Sequence, residues 1–401
     1  MLSESTIGKL IQPIAIRQEE INTYVISKIA LGVREIGTLS SFDINRMKLL
    51  VDMGADIREM NKELARLSNM QVRDIKSLIK TVAIRTNTDA KPLYDYRHKS
   101  FIPYEKNTKL QAYVKLVGDR TAGTYENMSR SRATGFLIRD LQHPGILKFQ
   151  SIDDTYRSVI DEAIQSNLSG IDYRTAMRRT LKQLADSGIR RLSWDSGYTQ
   201  RLDTAVRRNI LEGVTAIRQA TEDMIGEEIG ADGKELSVHI NCALDHEPFQ
   251  GHQFTNENWE KLQNSEDFED VDGQKFSGVK RIIGLWNCRH IGRSIIVGVT
   301  KPLHTKEKLQ EFIDDNHKGY TLPNGKHITM YECTQIQRQM ETKIRYAKDE
   351  QIVYQESGDA EAAKIARQKV LDYQKEYYKF SKDCGLMIHK DRMSVPNYKI
   401  I

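Results

Sequence analysis

Apolar residues near the start of the chain recur at seven- and four-residue steps. Ile14, Ile21, Val25, Ile29 and Val33 fall on one face of a helix. Gly37 and the Thr-Leu-Ser-Ser run after it break that pattern. It resumes in "FDINRMKLLVDMGADIREMNKELARLSNM", and "VRDIKSLIKTVAIRT" reads as a third unit. Residues 1–90 are therefore predicted as a helical region. Residues 91–150 carry aromatics, prolines and charges without a clean period, and predict an irregular linking region with short helices.

From Ser151 the helical period returns. Ser151 with Asp154 three positions on resembles a capping box, in which the side chain satisfies a free amide of the first turn. Two helices follow, closed by Gly170 and Gly188, because glycine readily takes the left-handed conformation that ends a helix. A third and longer helix runs through "SGYTQRLDTAVRRNILEGVTAIRQATEDMIGEEIG", completing a region of 151–233.

The texture changes at 234. "KELSVHINCAL" alternates like a strand, "DHEPFQGHQF" is rich in turn residues, and "GVKRIIGLW" and "GRSIIVGVT" are short β-branched runs bounded by glycine. A small α+β module over 234–303 follows. Beyond it, 304–401 predicts a C-terminal hairpin of two long amphipathic helices. "SGD" separates them, with Asp359 as N-cap. Lys379, Lys382 and Gly385 mark the end of the second helix. The fold class is mainly α, with long helical N-terminal and middle regions, one small α+β module and a helical hairpin.

Composition narrows the class. The chain has 401 residues, 39% hydrophobic and 29% charged, which is ordinary for a globular protein. No run reaches the roughly 18 apolar residues of a membrane span, and the N-terminus lacks the pattern of a secretory signal. Four cysteines without a C-x-x-C pair do not make a disulfide framework, so a reducing compartment is expected. The net charge of +5 permits an anionic partner without demanding one.

Candidate chemistry concentrates in the α+β module, which holds or borders His239, His246, His252, His290 and His304, together with Cys242 and Cys288. Sulfur with imidazole points to zinc, and a small module gains from a structural metal. The expected ligand set is Cys242, His246, Cys288 and His290, with His239 as a substitute. On a regular strand, alternation puts His239 and Cys242 on opposite faces, and Cys288 and His290 on one. The competing reading is a packed, hydrogen-bonded core. Asp245, His246, Asn287 and His290 also follow the residue order of HNH nucleases, although with a different spacing. A metal-dependent nuclease, or another enzyme built on this module, is the alternative function. The acidic run 266–272 lacks calcium-loop spacing and reads as a solvated loop.

A second candidate surface lies between 171 and 220. Arg174, Arg178, Arg179, Lys182, Arg190, Arg191, Arg201, Arg207, Arg208 and Arg218 outnumber the acids there. Arg174, Arg178 and Lys182 share a helical face. Guanidinium forks suit phosphate, so this face could hold nucleic acid backbone without reading sequence. A solvated surface paired with neighbouring acids is the competing reading.

Several segments together carry a family resemblance. "SVHINCALDHEPFQGHQF", "GLWNCRHI", "YECTQIQRQMETKIRYAK", "KFSKDCGL" and "DRMSV" follow one another in an order that resembles the phage minor capsid proteins of the second type. These are relatives of the MuF-like head morphogenesis proteins. The matching positions are His239, His246, Gln250, Gly251, Trp286, Asn287, Cys288, Arg289 and His290. Gln335, Arg338, Glu341, Ile344 and Arg345 follow in the helical tail, and Ser196-Gly197 and Ala205-Val206-Arg207-Arg208 lie upstream. Cys242 departs from the pattern. The resemblance implies a MuF-like module within a non-enzymatic structural virion protein. Such a protein is made in the bacterial host cytoplasm and packed inside the capsid. The implied partners are the portal protein, packaged double-stranded DNA, and scaffold or major capsid protein.

Overall fold

A computed structural model describes residues 4–38, 46–129, 134–139, 146–168, 172–192, 199–284 and 288–396. They are mainly α-helical, with a few small antiparallel sheets. The chain forms two compact units. One comprises Met1–Ile11, Asp74–Gly123 and Arg208–Ile336, the other Gln12–Arg73, Thr124–Arg207 and Gln337–Ile401.

The N-terminal helices follow the hydrophobic period. Ile14, Ile21, Val25, Ile29 and Val33, on the helix Glu4–Thr38, are all buried. The two periodic segments after it merge into one helix, Arg46–Asp89, because Leu67-Ser68-Asn69-Met70 contains neither glycine nor proline to stop the backbone. Residues 91–150 are more regular than their pattern suggests. They hold the helices Lys91–Tyr96 and Thr108–Met128 and the strands Thr134–Arg139 and Leu147–Ser151.

In the second unit a four-stranded sheet has the order Leu147–Ser151, Thr134–Arg139, Arg190–Leu192, Thr199–Arg201, antiparallel throughout. Gly135 sits opposite Ser151, and a Cβ there would lie 1.8 Å from the Gln150 carbonyl oxygen. Only glycine lets these two strands approach so closely. The helix Ile152–Leu168 begins as expected, with the Asp154 amide donating to Ser151 Oγ at 3.2 Å. Tyr173–Ser187 is capped by Asp172 and closed by Gly188 at φ +55°. Gly170 lies outside the described residues. The predicted C-terminal pair is Met330–Glu356 and Ala360–Asp383, with the Ala362 amide donating to the Asp359 side chain. Gln337 donates to Ser381 Oγ at 3.0 Å and Tyr377 to Glu341 at 3.3 Å, so the two helices pack antiparallel.

This unit also buries a charged cluster. Arg201 lies 3.7 Å from Glu19, 3.1 Å from Asp203 and 3.8 Å from Asp349, with its guanidinium over the Tyr346 ring at 4.6 Å. Arg345 reaches Glu19 at 3.4 Å and Asp203 at 3.1 Å. Asn22 donates to Asp349 at 3.1 Å.

The first unit carries the small α+β element. A three-stranded antiparallel sheet places Gly233–Leu236 between Gln253–Thr255 and Gly292–Ile295. Leu236, Phe249, Phe254, Leu262, Phe268, Val279, Ile283 and Cys288 form its apolar core, with Trp259 and Phe276 packed against it. The acidic run is exposed at Glu266, Asp267, Glu269 and Asp272, and part of it pairs in a short hairpin, Phe268–Glu269 with Lys275–Phe276. Buried Asp270 accepts from the amides of Asp272 and Gln274 and lies 2.7 Å from His252 Nδ1. Those bonds offset the cost of burying its carboxylate. The helix Lys306–Lys318 and the hairpin Tyr320–Thr321 with His327–Ile328 follow.

Candidate functional site

The histidine- and cysteine-rich site forms where the central strand ends. Alternation over 234–244 predicts a longer strand, but pairing stops at Leu236. There the Ser237 amide turns to the Ile291 carbonyl, and Ser237 Oγ accepts from the Ile291 amide at 3.1 Å. Asn241, at φ +57°, reverses the chain. His239 and Cys242 thus lie on an irregular loop, and strand alternation does not set their directions. Likewise 278–284 is not a strand, whereas Gly292–Ile295 is. A single 3-10 turn, Glu247–Phe249, separates His246 from Gln250.

These loops bring three donors together. Cys288 Sγ lies 3.4 Å from His246 Nδ1 and 3.4 Å from His290 Nδ1. The ligand atoms of His246, Cys288 and His290 lie within 4.8 Å of one another, and all three residues are buried. The opposite ring nitrogens are held in place. His246 Nε2 is 2.7 Å from the Arg281 carbonyl oxygen, and His290 Nε2 is 3.4 Å from Gln250 Oε1. Gln250 is itself fixed, because its Oε1 accepts from the His239 amide at 2.9 Å. Both partners are acceptors, so each Nε2 carries the proton and each Nδ1 turns a lone pair toward Cys288.

The electrostatics favour uncharged groups. Burial holds both imidazoles below their usual range, His290 most strongly, with His239 and His246 adding to its shift. Burial also pushes the Cys288 thiol up, against opposing backbone hydrogen bonds. Without a cation the site therefore contains two neutral rings and a protonated thiol.

The other predicted residues are placed differently. Cys242 is buried but outside the three-residue group. Its thiol is pushed up to about 12 by burial, then by Glu247 and Asp245. His239 packs its ring edge-on against His290, with centroids 4.4 Å apart, and its Nε2 lies 3.4 Å from Ser237 Oγ. Gly251 has φ +78°, and a Cβ there would lie 2.4 Å from Leu309. Arg289 is half-buried. Trp286 and Asn287, like Ser196 and Gly197, lie outside the described residues. Asp245 receives two hydrogen bonds from Arg281, at 3.0 and 2.9 Å. The carbonyl of Arg281 that orients His246 had no signal in the sequence, because any residue type supplies one.

The basic residues divide by their partners. Arg178 bonds Asp359 and Glu361, Lys182 pairs with Asp186, and Arg190 bonds Thr199. Arg191 and Arg207 are half-buried, and Arg201 and Arg218 are buried. Arg174, Arg179 and Arg208 are exposed. Arg174 and Arg179 lie on one helix, Tyr173–Ser187.

Among the described residues, no helix is long and apolar enough to cross a membrane. No curated protein and no solved structure matches the chain. The family described as phage minor capsid protein 2 does match, over residues 20–381. That span takes in the histidine–cysteine site, the exposed arginines and nearly all of the C-terminal helix pair, and it establishes that the chain belongs to the phage minor capsid protein 2 family.

Proposed function

We propose that this protein is a non-enzymatic minor component of the phage head, located inside the capsid at the portal vertex, where it holds packaged DNA without sequence preference. The family match over residues 20–381 carries this reading, because it supports a structural role in a phage capsid and a place in the virion. The helices form the portal-facing surface. The DNA contact rests on Arg174 and Arg179, which are exposed on one helix while Arg178 between them is held by two acids. Guanidinium groups free to reach solvent can displace counterions from phosphates, whereas an arginine already paired gains little.

Two such contacts give a weak, salt-sensitive interaction. Duplex affinity, measured by fluorescence anisotropy over a salt series, should fall with a log–log slope of about −2. Arg174→Gln with Arg179→Gln should flatten that slope by about 2, equally for unrelated sequences. A flat slope in the wild type would remove the phosphate-contact part of the reading. Co-purification with a portal ring tests the location.

A further inference from the structure

We propose that His246, Cys288 and His290 form a binding site for one divalent transition-metal ion, zinc by its donor set. The starting observation is a mismatch of protons. Two buried imidazoles turn Nδ1 lone pairs toward one sulfur, each at 3.4 Å. A thiol has one proton and can satisfy only one of them. The second lone pair then faces sulfur without a donor, and an unmet buried acceptor is costly. A cation between the three atoms resolves this, because the thiol gives up its proton and all three lone pairs point inward.

The spacing fits. Zinc bonds of about 2.3 Å to sulfur and about 2.0–2.1 Å to nitrogen, at a tetrahedral angle, place sulfur and nitrogen about 3.6 Å apart. The two observed separations are 3.4 Å, so the side chains need little movement to close on an ion. The surroundings fit as well. Metal-ligating histidines usually donate the remote N–H to an oxygen acceptor such as a carboxylate, a backbone carbonyl or water, which fixes the ring and raises its basicity. Here the Arg281 carbonyl and Gln250 Oε1 take those two positions. A coordinating thiol binds as the thiolate, so uptake displaces a proton from Cys288. No fourth His, Cys, Asp or Glu among the described residues joins this group, which leaves the fourth coordination position to solvent or an added ligand.

Sulfur with two imidazoles favours zinc over magnesium or calcium, which take oxygen. The test uses the full chain, stripped with chelator and reconstituted with Zn2+ or, as a spectroscopic probe, Co2+. The expected result is one Zn per chain, and a tetrahedral Co2+ spectrum with a thiolate-to-metal band in the near ultraviolet. Cys288→Ser should abolish that band, and Cys242→Ser should leave it intact. Zinc uptake below one tenth of stoichiometric, an octahedral Co2+ spectrum, or a band that survives Cys288→Ser would overturn the proposal. Should Cys288→Ser fail to fold, X-ray absorption at the zinc edge of the unaltered chain decides. One sulfur at about 2.3 Å with nitrogen neighbours supports the site, and an all-oxygen shell overturns it.

Discussion

Arg201→Met should destabilise the unit built from Gln12–Arg73, Thr124–Arg207 and Gln337–Ile401 by about 3–5 kcal/mol, among the largest effects of any single substitution here. The buried cluster holds two cations, Arg201 and Arg345, against three carboxylates, Glu19, Asp203 and Asp349. Methionine fills a similar volume, so packing is nearly kept and the lost charge dominates. Three buried acids would then face one guanidinium. Chemical denaturation, followed by hydrogen exchange in the helix Ala360–Asp383, measures the effect. A loss under about 1 kcal/mol would mean that water already screens the cluster.

Glu19→Gln provides the contrast. Two cations balance two acids, so the third acid is the excess charge, and neither Glu19 oxygen has a hydrogen-bond partner among the described residues. Burial, then Asp203, raises the Glu19 carboxyl to about 8 despite both arginines, and burial raises Asp349 to about 6. A raised acid contributes stability that is complete below its unfolded value and is lost as pH rises through the folded one. For Glu19 that window runs from its ordinary 4.5 up to about 8. Asp203 runs the other way. Burial pushes it up, but Arg201 and Arg345 outweigh burial and hold it at about 2, so its contribution is lost only in strong acid. Between pH 8 and pH 5 this unit should therefore gain stability on acidification, by at most about 1.4 kcal/mol per pH unit for each raised acid. Glu19→Gln should flatten that dependence and be neutral or stabilising at pH 8. An unchanged pH profile in the variant would assign the titration elsewhere.

Phe254→Ala should cost about 3–5 kcal/mol in the other unit. Phe254 is fully buried on the edge strand Gln253–Thr255, with its ring 5.5 Å from Phe268 and 6.3 Å from Phe276. Phe268 and Phe276 stack across the hairpin at 5.3 Å, and Phe249 meets Phe268 edge-on at 5.5 Å. The sheet has only three short strands, so this aromatic group supplies much of its packing. Removing one ring leaves a cavity that the short strands cannot collapse to fill. Hydrogen exchange should speed up in Gly233–Leu236 and Gly292–Ile295. Phe254→Leu should lose less, because most of the volume remains. Equal losses from alanine and leucine would place the cost in ring geometry rather than in the cavity.

The helices were legible because their signals are local. The face of Ile14, Ile21, Val25, Ile29 and Val33, the stop at Gly188 and the cap at Asp359 each depend on neighbours within a turn or two. The strands within 91–150 were not legible, because neither Thr134–Arg139 nor its hairpin partner Leu147–Ser151 alternates buried with exposed residues, and the other edge of Thr134–Arg139 pairs with Arg190–Leu192, far along the chain. The site was legible only in part. Its residue types and the pairing of Cys288 with His290 follow from the sequence. The exclusion of Cys242 does not, since it depends on where the strand ends.

By itself, then, the sequence determined the helical class, the histidine–cysteine content of the small module, and the family, whose motif order survives without any knowledge of contacts. Only the tertiary structure decided which residues of one type act alike. Arg174 and Arg201 belong to the same basic stretch, yet one meets solvent and the other lies among Glu19, Asp203 and Asp349. His246 meets Cys288 across a loop closure that no local period encodes. The physical reason is range. Helical periodicity reports the backbone a few residues away, whereas the burial of a charge or the convergence of lone pairs is fixed by partners brought in from distant parts of the chain.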